Sequence, residues 1–159
     1  MIDKLSWITA YPETILLVMA CVIALVDRDP DFKVDRTVSA LLDFGDGRRL
    51  DFTVSTQSVS HQRVQAVGTK NRIEVQIPFN APLGGETDYF VDDGSALNGS
   101  SMQKHTLPAC NMYGLQGDAF SKVVRGDMAL PYGVEDAILN MKVIDALFAS
   151  EKTGAWVNV

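Results

Sequence analysis

The stretch VDRTVSALLDFGDGRRLDFTVST, from Val34 to Thr56, predicts a β-hairpin and thereby indicates a sheet-based fold. Asp46-Gly47 lies between its two arms, and this pair is typical of a tight turn because both central positions of a type I′ turn need positive φ. The apolar residues of the arms recur at every second position, which is the period of a strand. They are Val38, Ala40 and Leu42 in the first arm, and Leu50, Phe52 and Val54 in the second.

An uninterrupted apolar run, Ile15–Val26, precedes the hairpin. It is too short for a membrane-spanning helix, which needs about 20 apolar residues. Acidic residues before the run argue against a secretory signal peptide. Val18–Cys21 faintly resembles a lipoprotein processing site, but the run stays apolar beyond Cys21. We expect Cys21–Val26 to form a β-branched-rich strand, Asp27–Phe32 its exit turn, and Ile15–Ala20 to pack on the sheet or on a partner subunit.

Further strands and two helices are predicted after the hairpin. Alternating polarity is clearest in Arg72–Pro78, whereas apolar residues three and four apart predict the helices. Gly126 and Gly154 are expected to end these helices. The predicted strands are 61–69, 72–78, 86–93 and 102–107; the helical segments are 113–127 and 131–154; and 155–159 is a short last strand.

These elements predict one α+β domain over residues 1–159, with a divergent segment at 1–20. Its sheet is open and mostly antiparallel, has five to seven strands, and carries helices packed on one face. The other face keeps apolar residues, and an exposed apolar face of this size usually contacts a partner.

The composition excludes several classes of function. The formal net charge of −6 argues against a nucleic-acid partner and against an anionic membrane surface. Cys21 and Cys110 lie far apart and away from any histidine, so we expect two reduced thiols in a cytoplasmic protein and no zinc site. The Asp27–Asp35 cluster lacks the central glycine and the final glutamate of a calcium loop, so we expect no bound metal.

No self-contained catalytic constellation is present in the sequence, so no catalytic residue is assigned. His61, His105 and Tyr113 are the candidates for contact with a polar substrate, although each also suits a purely structural role. Gly45-Asp46-Gly47 is the nearest match to a dinucleotide-binding motif, but it lies in the predicted hairpin, so we assign no cofactor-binding residue.

From about Val22 onward, the chain resembles the C-terminal domain of the Gfo/Idh/MocA (glucose-fructose oxidoreductase / inositol dehydrogenase / MocA) family. The resemblance lies in the order and spacing of four segments over most of the chain. They are ALVDRDPDFKVDRTVSALLDFGDGRRLDFTVSTQ, NRIEVQIPFNAP, YGLQGDAFSKVVRGD and DAILNMKVIDALFASEKTGAWVNV.

This resemblance implies an NAD(P)-dependent oxidoreductase that acts on a sugar, a cyclitol or a related diol. In the family, a separate Rossmann domain carries the cofactor, and the open sheet commonly forms a dimer interface. The family's Glu-Lys-Pro motif is absent here, because Glu151-Lys152-Thr153 lacks the proline and lies at a predicted helix end. The family's catalytic residues therefore match no position of this chain.

Three hypotheses follow. In the first, the chain is the substrate-binding and dimerisation domain of such an oxidoreductase, binds no cofactor and is inactive alone. In the second, it is an interaction module that pairs through its open sheet, as a homodimer or with a separate dinucleotide-binding chain. In the third, it carries a new site around His61, His105 and Tyr113.

Overall fold

The computed structural model describes residues 21–159. The chain divides into two compact units. Unit 1 contains residues 21–58 and 131–159 of the described chain, and unit 2 is Val59–Leu130. The expected packing of Ile15–Ala20 lies outside the described residues.

The described part of unit 1 is a four-stranded antiparallel sheet with one helix. Its strands are β1 (Cys21–Arg28), β2 (Asp35–Asp43), β3 (Arg49–Ser55) and β8 (Val157–Asn158), in the order β3-β2-β1-β8. β2 and β3 pair in register from Thr37↔Ser55 to Asp43↔Arg49, so the predicted hairpin is confirmed. Asp29 shapes the turn after β1, because its carboxylate accepts hydrogen bonds from the backbone N–H groups of Asp31 and Phe32.

The core of unit 1 lies between its sheet and helix α2 (Val134–Thr153). The buried side of the sheet is formed by Val22, Ala24, Ala40 and Leu42. Leu147 of the helix belongs to the same core cluster. The predicted apolar stripe of α2 is only partly correct, since Ile138 and Met141 are exposed. The buried residues of the helix begin only at its middle; they are Val143, Ala146, Leu147 and Ser150.

Unit 2 holds a second four-stranded antiparallel sheet and helix α1 (Met112–Arg125). Its strands are β4 (Val64–Val67), β5 (Arg72–Val75), β6 (Thr87–Asp92) and β7 (Gln103–Leu107), in chain order across the sheet. Asn111 caps α1, since its side-chain oxygen accepts from the Gly114 N–H, and Gly126 ends it at φ 78°.

The fold class is the predicted one: the described residues form open, antiparallel sheets combined with two helices. The prediction of one sheet with five to seven strands is wrong, because the eight strands of residues 21–159 form two sheets of four. Residues 56–63 are irregular and form no ladder between β3 and β4. Their serine- and glutamine-rich sequence favours local side-chain hydrogen bonds, such as that of the Gln57 N–H to Ser55, over strand pairing.

Candidate functional site

The three candidate substrate-contact residues lie on three separate elements of unit 2. His61 is exposed in the loop before β4, so its predicted place in a strand is wrong. His105 lies at the middle of β7, and Tyr113 lies in the first turn of α1 with 63% of its surface exposed. Within residues 21–159, no hydrogen bond joins any two of them. The role of these three residues in binding substrate stays a prediction.

His105 stacks on Tyr89, a residue that the sequence did not single out. The two rings lie 4.8 Å apart between centroids at an interplanar angle of 12°. They meet because Tyr89 on β6 is directly opposite His105 on β7 in the antiparallel register. No carboxylate in the described part of the chain hydrogen-bonds to His105. The stacked pair presents an aromatic surface on this side of the sheet.

The stacked pair belongs to a sheet face that carries no Asp, Glu, Lys or Arg, which we call the uncharged face. Directly opposite residues of an antiparallel sheet share a face, so the register defines its members. They are Val64, Ala66, Ile73, Val75, Thr87, Tyr89, Val91, Gln103, His105 and Leu107. Val64 and Leu107 at its edges are 44% and 48% exposed, and the central residues are half-buried.

The opposite side of the same sheet, which we call the charged face, is a network of ion pairs. Arg72 contacts Asp92 at 2.6 Å, Arg63 contacts Glu74 at 3.3 Å, and Lys104 contacts Asp88 at 2.8 Å. Every carboxylate in these pairs accepts a further side-chain hydrogen bond; the donors are Gln65, Ser101 and Thr106. These polar groups satisfy one another, which allows the carboxylates of Glu74 and Asp92 to be buried on this face.

Asp92 is the centre of the charged face. Its hydrogen bonds from the Ser101 hydroxyl and the Gly94 N–H, together with the Arg72 guanidinium, lower the pKa of its carboxyl. The pKa of Asp88 is lowered by its hydrogen bonds with Lys104 and Thr106. Both shifts favour the ionised form, which keeps the ion pairs intact at neutral pH. A structural role explains these shifts, because each carboxylate is bound by partners within its own sheet.

A shallow open cleft of about 550 Å³ lies in unit 1, between the β1–β2 turn and the end of α2. Its residues include Arg28, Lys33, Phe148 and Lys152. Arg28 is held by a bidentate ion pair with Glu151, at 2.6 and 2.5 Å, and lies 5.3 Å from the centre of the Phe148 ring. Because Glu151 already engages the guanidinium, the cleft has no free anion-binding fork.

The described residues do not fit a dinucleotide cofactor. Such a cofactor needs a glycine-rich turn from a strand into a helix, where backbone N–H groups approach the pyrophosphate. Within residues 21–159, only β7 is followed directly by a helix, and its connection, Pro108–Asn111, contains no glycine. The Gly45-Asp46-Gly47 segment lies in the β2–β3 hairpin turn instead. In the same residues, no group of three or more His, Cys, Asp or Glu could hold a metal ion.

Two further findings concern the class of protein. Within the described residues, no helix has both the length and the apolar character that crossing a bilayer requires. No protein-family model matches the chain.

Comparison with curated proteins identifies oxidoreductases as relatives. The chain is 33% identical over 138 residues to the uncharacterized oxidoreductase ORF334 of Rhizobium meliloti. This alignment covers 87% of this chain and 41% of that protein. The chain is also 26% identical over 132 residues to D-xylose 1-dehydrogenase (NADP(+)) 2 of Haloferax volcanii. That alignment covers 81% of this chain and 38% of the enzyme. The chain therefore spans about two fifths of the length of these relatives.

Solved structures of oxidoreductases share the fold. The aldose-aldose oxidoreductase of Caulobacter crescentus, complexed with glycerol, superposes with a TM-score of 0.72 at 18% identity, over 93% of this chain and 45% of that one. The 3-ketoreductase KijD10 of Actinomadura kijaniata, in complex with NADP and TDP-benzene, gives 0.74 at 18% identity, over 92% and 45%. The resemblance to the Gfo/Idh/MocA C-terminal domain is confirmed. At this identity the solved structures establish the fold, and the resemblance to that domain carries no substrate or cofactor with it.

A short stretch of the chain has a relative of another kind. It is 82% identical over 27 residues to NADH-quinone oxidoreductase subunit N of Polaromonas naphthalenivorans. The match covers 17% of this chain and only 5% of that subunit, so it carries no argument about the Gfo/Idh/MocA-like part.

Proposed function

We propose that this chain serves as the substrate-binding and dimerisation domain of a Gfo/Idh/MocA-type oxidoreductase. The enzyme would act on a sugar, a cyclitol or a related diol with NAD(P), which a separate dinucleotide-binding domain or chain would supply. The observation that supports this proposal most strongly is the alignment of 138 residues with an oxidoreductase. The names of two further similar proteins, a D-xylose dehydrogenase and an aldose-aldose oxidoreductase, support a sugar as the substrate class.

The chain alone would bind no dinucleotide and would be inactive. The absence of a glycine-rich strand-to-helix turn from residues 21–159 supports this part of the proposal. In the complete enzyme, His61, His105 and Tyr113 would be the candidates for contact with substrate. We also propose that the protein is cytoplasmic, and the two free cysteines in the described residues are in keeping with a reducing compartment.

A stand-alone interaction module is the second candidate function. It is favoured by one observation in unit 2, all of whose residues are described: no apolar side chain between Val59 and Leu130 is fully buried. A unit of this kind leaves apolar surface for a partner. In this alternative the chain pairs through a sheet face and catalyses nothing.

An activity assay tests the first function. The purified chain is incubated with NADP or NAD and a panel of aldoses and polyols that includes D-xylose, and NAD(P)H formation is followed by absorbance. The D-xylose dehydrogenase of Haloferax volcanii serves as the positive control. We expect turnover with the control and none with this chain. Turnover by the chain alone would contradict the proposal, because it would require a cofactor site within these residues.

A further inference from the structure

Helix α2 carries apolar residues on two opposite sides, and the sheet of unit 1 covers only one of them. We call the other side the outer face of α2; it is formed by Val134, Ala137, Ile138, Met141 and Ile144. We propose that two copies of this chain associate through the outer face, with their α2 helices packed antiparallel. This inference goes beyond the proposed function, because the family resemblance implies pairing through an open sheet and not through this helix.

The geometry of the helix separates its two sides. Successive residues of an α-helix are rotated by about 100° around its axis. The outer face is therefore centred roughly 160° around the axis from the buried residues, so it points away from the sheet. Val134, Ile138 and Met141 are accordingly 66%, 51% and 52% exposed. A helix that is apolar all round is normally buried all round, so the outer face indicates a second packing partner.

Charge complementarity points to a second copy as that partner. Glu135 and Lys142 lie on the same flank of the outer face, one heptad apart, and neither has an ion pair within residues 21–159. In an antiparallel pair of helices, side chains on the same flank meet across the interface, and Ile138 packs against the partner's Met141. This register brings Glu135 opposite the partner's Lys142 at both ends of the contact. A parallel pair would bring Lys142 opposite the partner's Ala137 and would leave both charges unmatched.

The size of the outer face sets the expected strength of association. Between Val134 and Asp145, α2 is about 18 Å long and, with its side chains, about 10–12 Å wide. Allowing for side-chain relief, the contact buries on the order of 400 Å² per copy, or about 800 Å² in total, which is typical of weak and transient interfaces. We therefore expect a dissociation constant of roughly 100 μM rather than a permanent dimer.

Reversal of the two charges tests the antiparallel arrangement on the whole chain. Sedimentation equilibrium is measured from about 10 to 500 μM, a range that includes the expected dissociation constant. We expect wild type to associate, and Glu135→Lys and Lys142→Glu each to associate about tenfold more weakly, because like charges then meet at both ends of the contact. An equimolar mixture of these two variants should associate like wild type, since opposite charges face each other again. Lys122→Glu on the exposed helix α1 is the matched control and should leave association unchanged.

Ile138→Glu tests the apolar part of the same interface. Because half of this side chain is exposed, the variant should keep the wild-type circular dichroism spectrum and urea midpoint and should lose association. A wild type that stays monomeric at the highest concentration, or a mixture of the two charge variants that fails to associate, overturns the proposal. A lower urea midpoint for Ile138→Glu also overturns it, because the outer face would then be covered within a single chain. None of these measurements involves a cofactor or turnover, so failure of the interface is distinct from failure of the proposed function.

Discussion

The substitution Ser150→Ala tests how the sheet and helix of unit 1 are joined. Ser150 has no exposed surface, and its hydroxyl accepts a hydrogen bond from the Ala24 N–H at 3.0 Å. The same hydroxyl donates to the Ala155 carbonyl at 2.8 Å. β8 pairs with β1 only at Cys21 and Val22, so β8 does not reach Ala24. The Ala24 N–H donates its hydrogen bond to the Ser150 hydroxyl instead of to a strand.

The expected cost follows from that geometry. Alanine leaves the buried Ala24 N–H without a partner, and an orphaned buried donor costs about 1–3 kcal/mol. Alanine's higher helix propensity returns about 0.5 kcal/mol. The free energy of unfolding of unit 1 should therefore fall by about 0.5–2.5 kcal/mol, which at a urea slope of about 1–3 kcal/mol/M lowers the midpoint by roughly 1 M.

Urea unfolding followed by tryptophan fluorescence in a Trp7→Phe background measures this change, since Trp156 is then the only tryptophan of the chain and lies in unit 1. Thr153→Ala is the matched control within unit 1, because the exposed Thr153 hydroxyl donates to the Ala149 carbonyl at the end of α2. We expect the control to change stability by less than about 0.5 kcal/mol. If Ser150→Ala is as mild as the control, the hydrogen bond to Ala24 does not join helix to sheet as argued.

Three further predictions concern the core, a helix end and pH. Leu147→Ala removes a buried core side chain and should cost about 2–5 kcal/mol in urea unfolding of unit 1. Gly126→Ala should lower the stability of α1 in thermal unfolding by about 1–2 kcal/mol, because alanine is strained at the φ of 78° that Gly126 adopts. An alanine Cβ would meet no atom within 4 Å, so no steric clash adds to this cost. An unchanged stability would show that α1 does not end at Gly126. The lowered pKa of Asp92 means that its contribution to unit 2 is complete above the ordinary aspartate range and disappears as pH falls through the lowered pKa. Asp92→Asn should make amide hydrogen exchange in β6 and β7 faster than in wild type at neutral pH. The protection of these amides should also fall less in the variant than in wild type when the pH is lowered. An equal fall in both proteins would contradict the stabilising role of the Asp92 carboxylate.

Local signals in the sequence predicted the hairpin of unit 1 well. Val38, Ala40 and Leu42 are all buried, as their alternation predicted, and Asp46-Gly47 does lie between the paired strands. Both helix ends were predictable because Gly126 and Gly154 adopt the positive φ that glycine permits.

Features that depend on distant pairing were not predictable from the sequence. The periodicity of α2 does not say which part of the helix meets the sheet, so the exposure of Ile138 was missed. The Tyr89–His105 stack depends on the register between β6 and β7, which no local pattern specifies. The alternation in Arg72–Val75 did predict two unlike faces, but not that one of them would carry no charge at all.

The central claim is that this chain supplies the non-cofactor part of an oxidoreductase. Isothermal titration of the purified chain with NADPH, and separately with NADH, tests it most directly, with the D-xylose dehydrogenase of Haloferax volcanii as the positive control. The account predicts saturable binding by the control and no saturable heat with this chain. Saturable binding by this chain would contradict the account, because it would show a dinucleotide site in a protein assigned none.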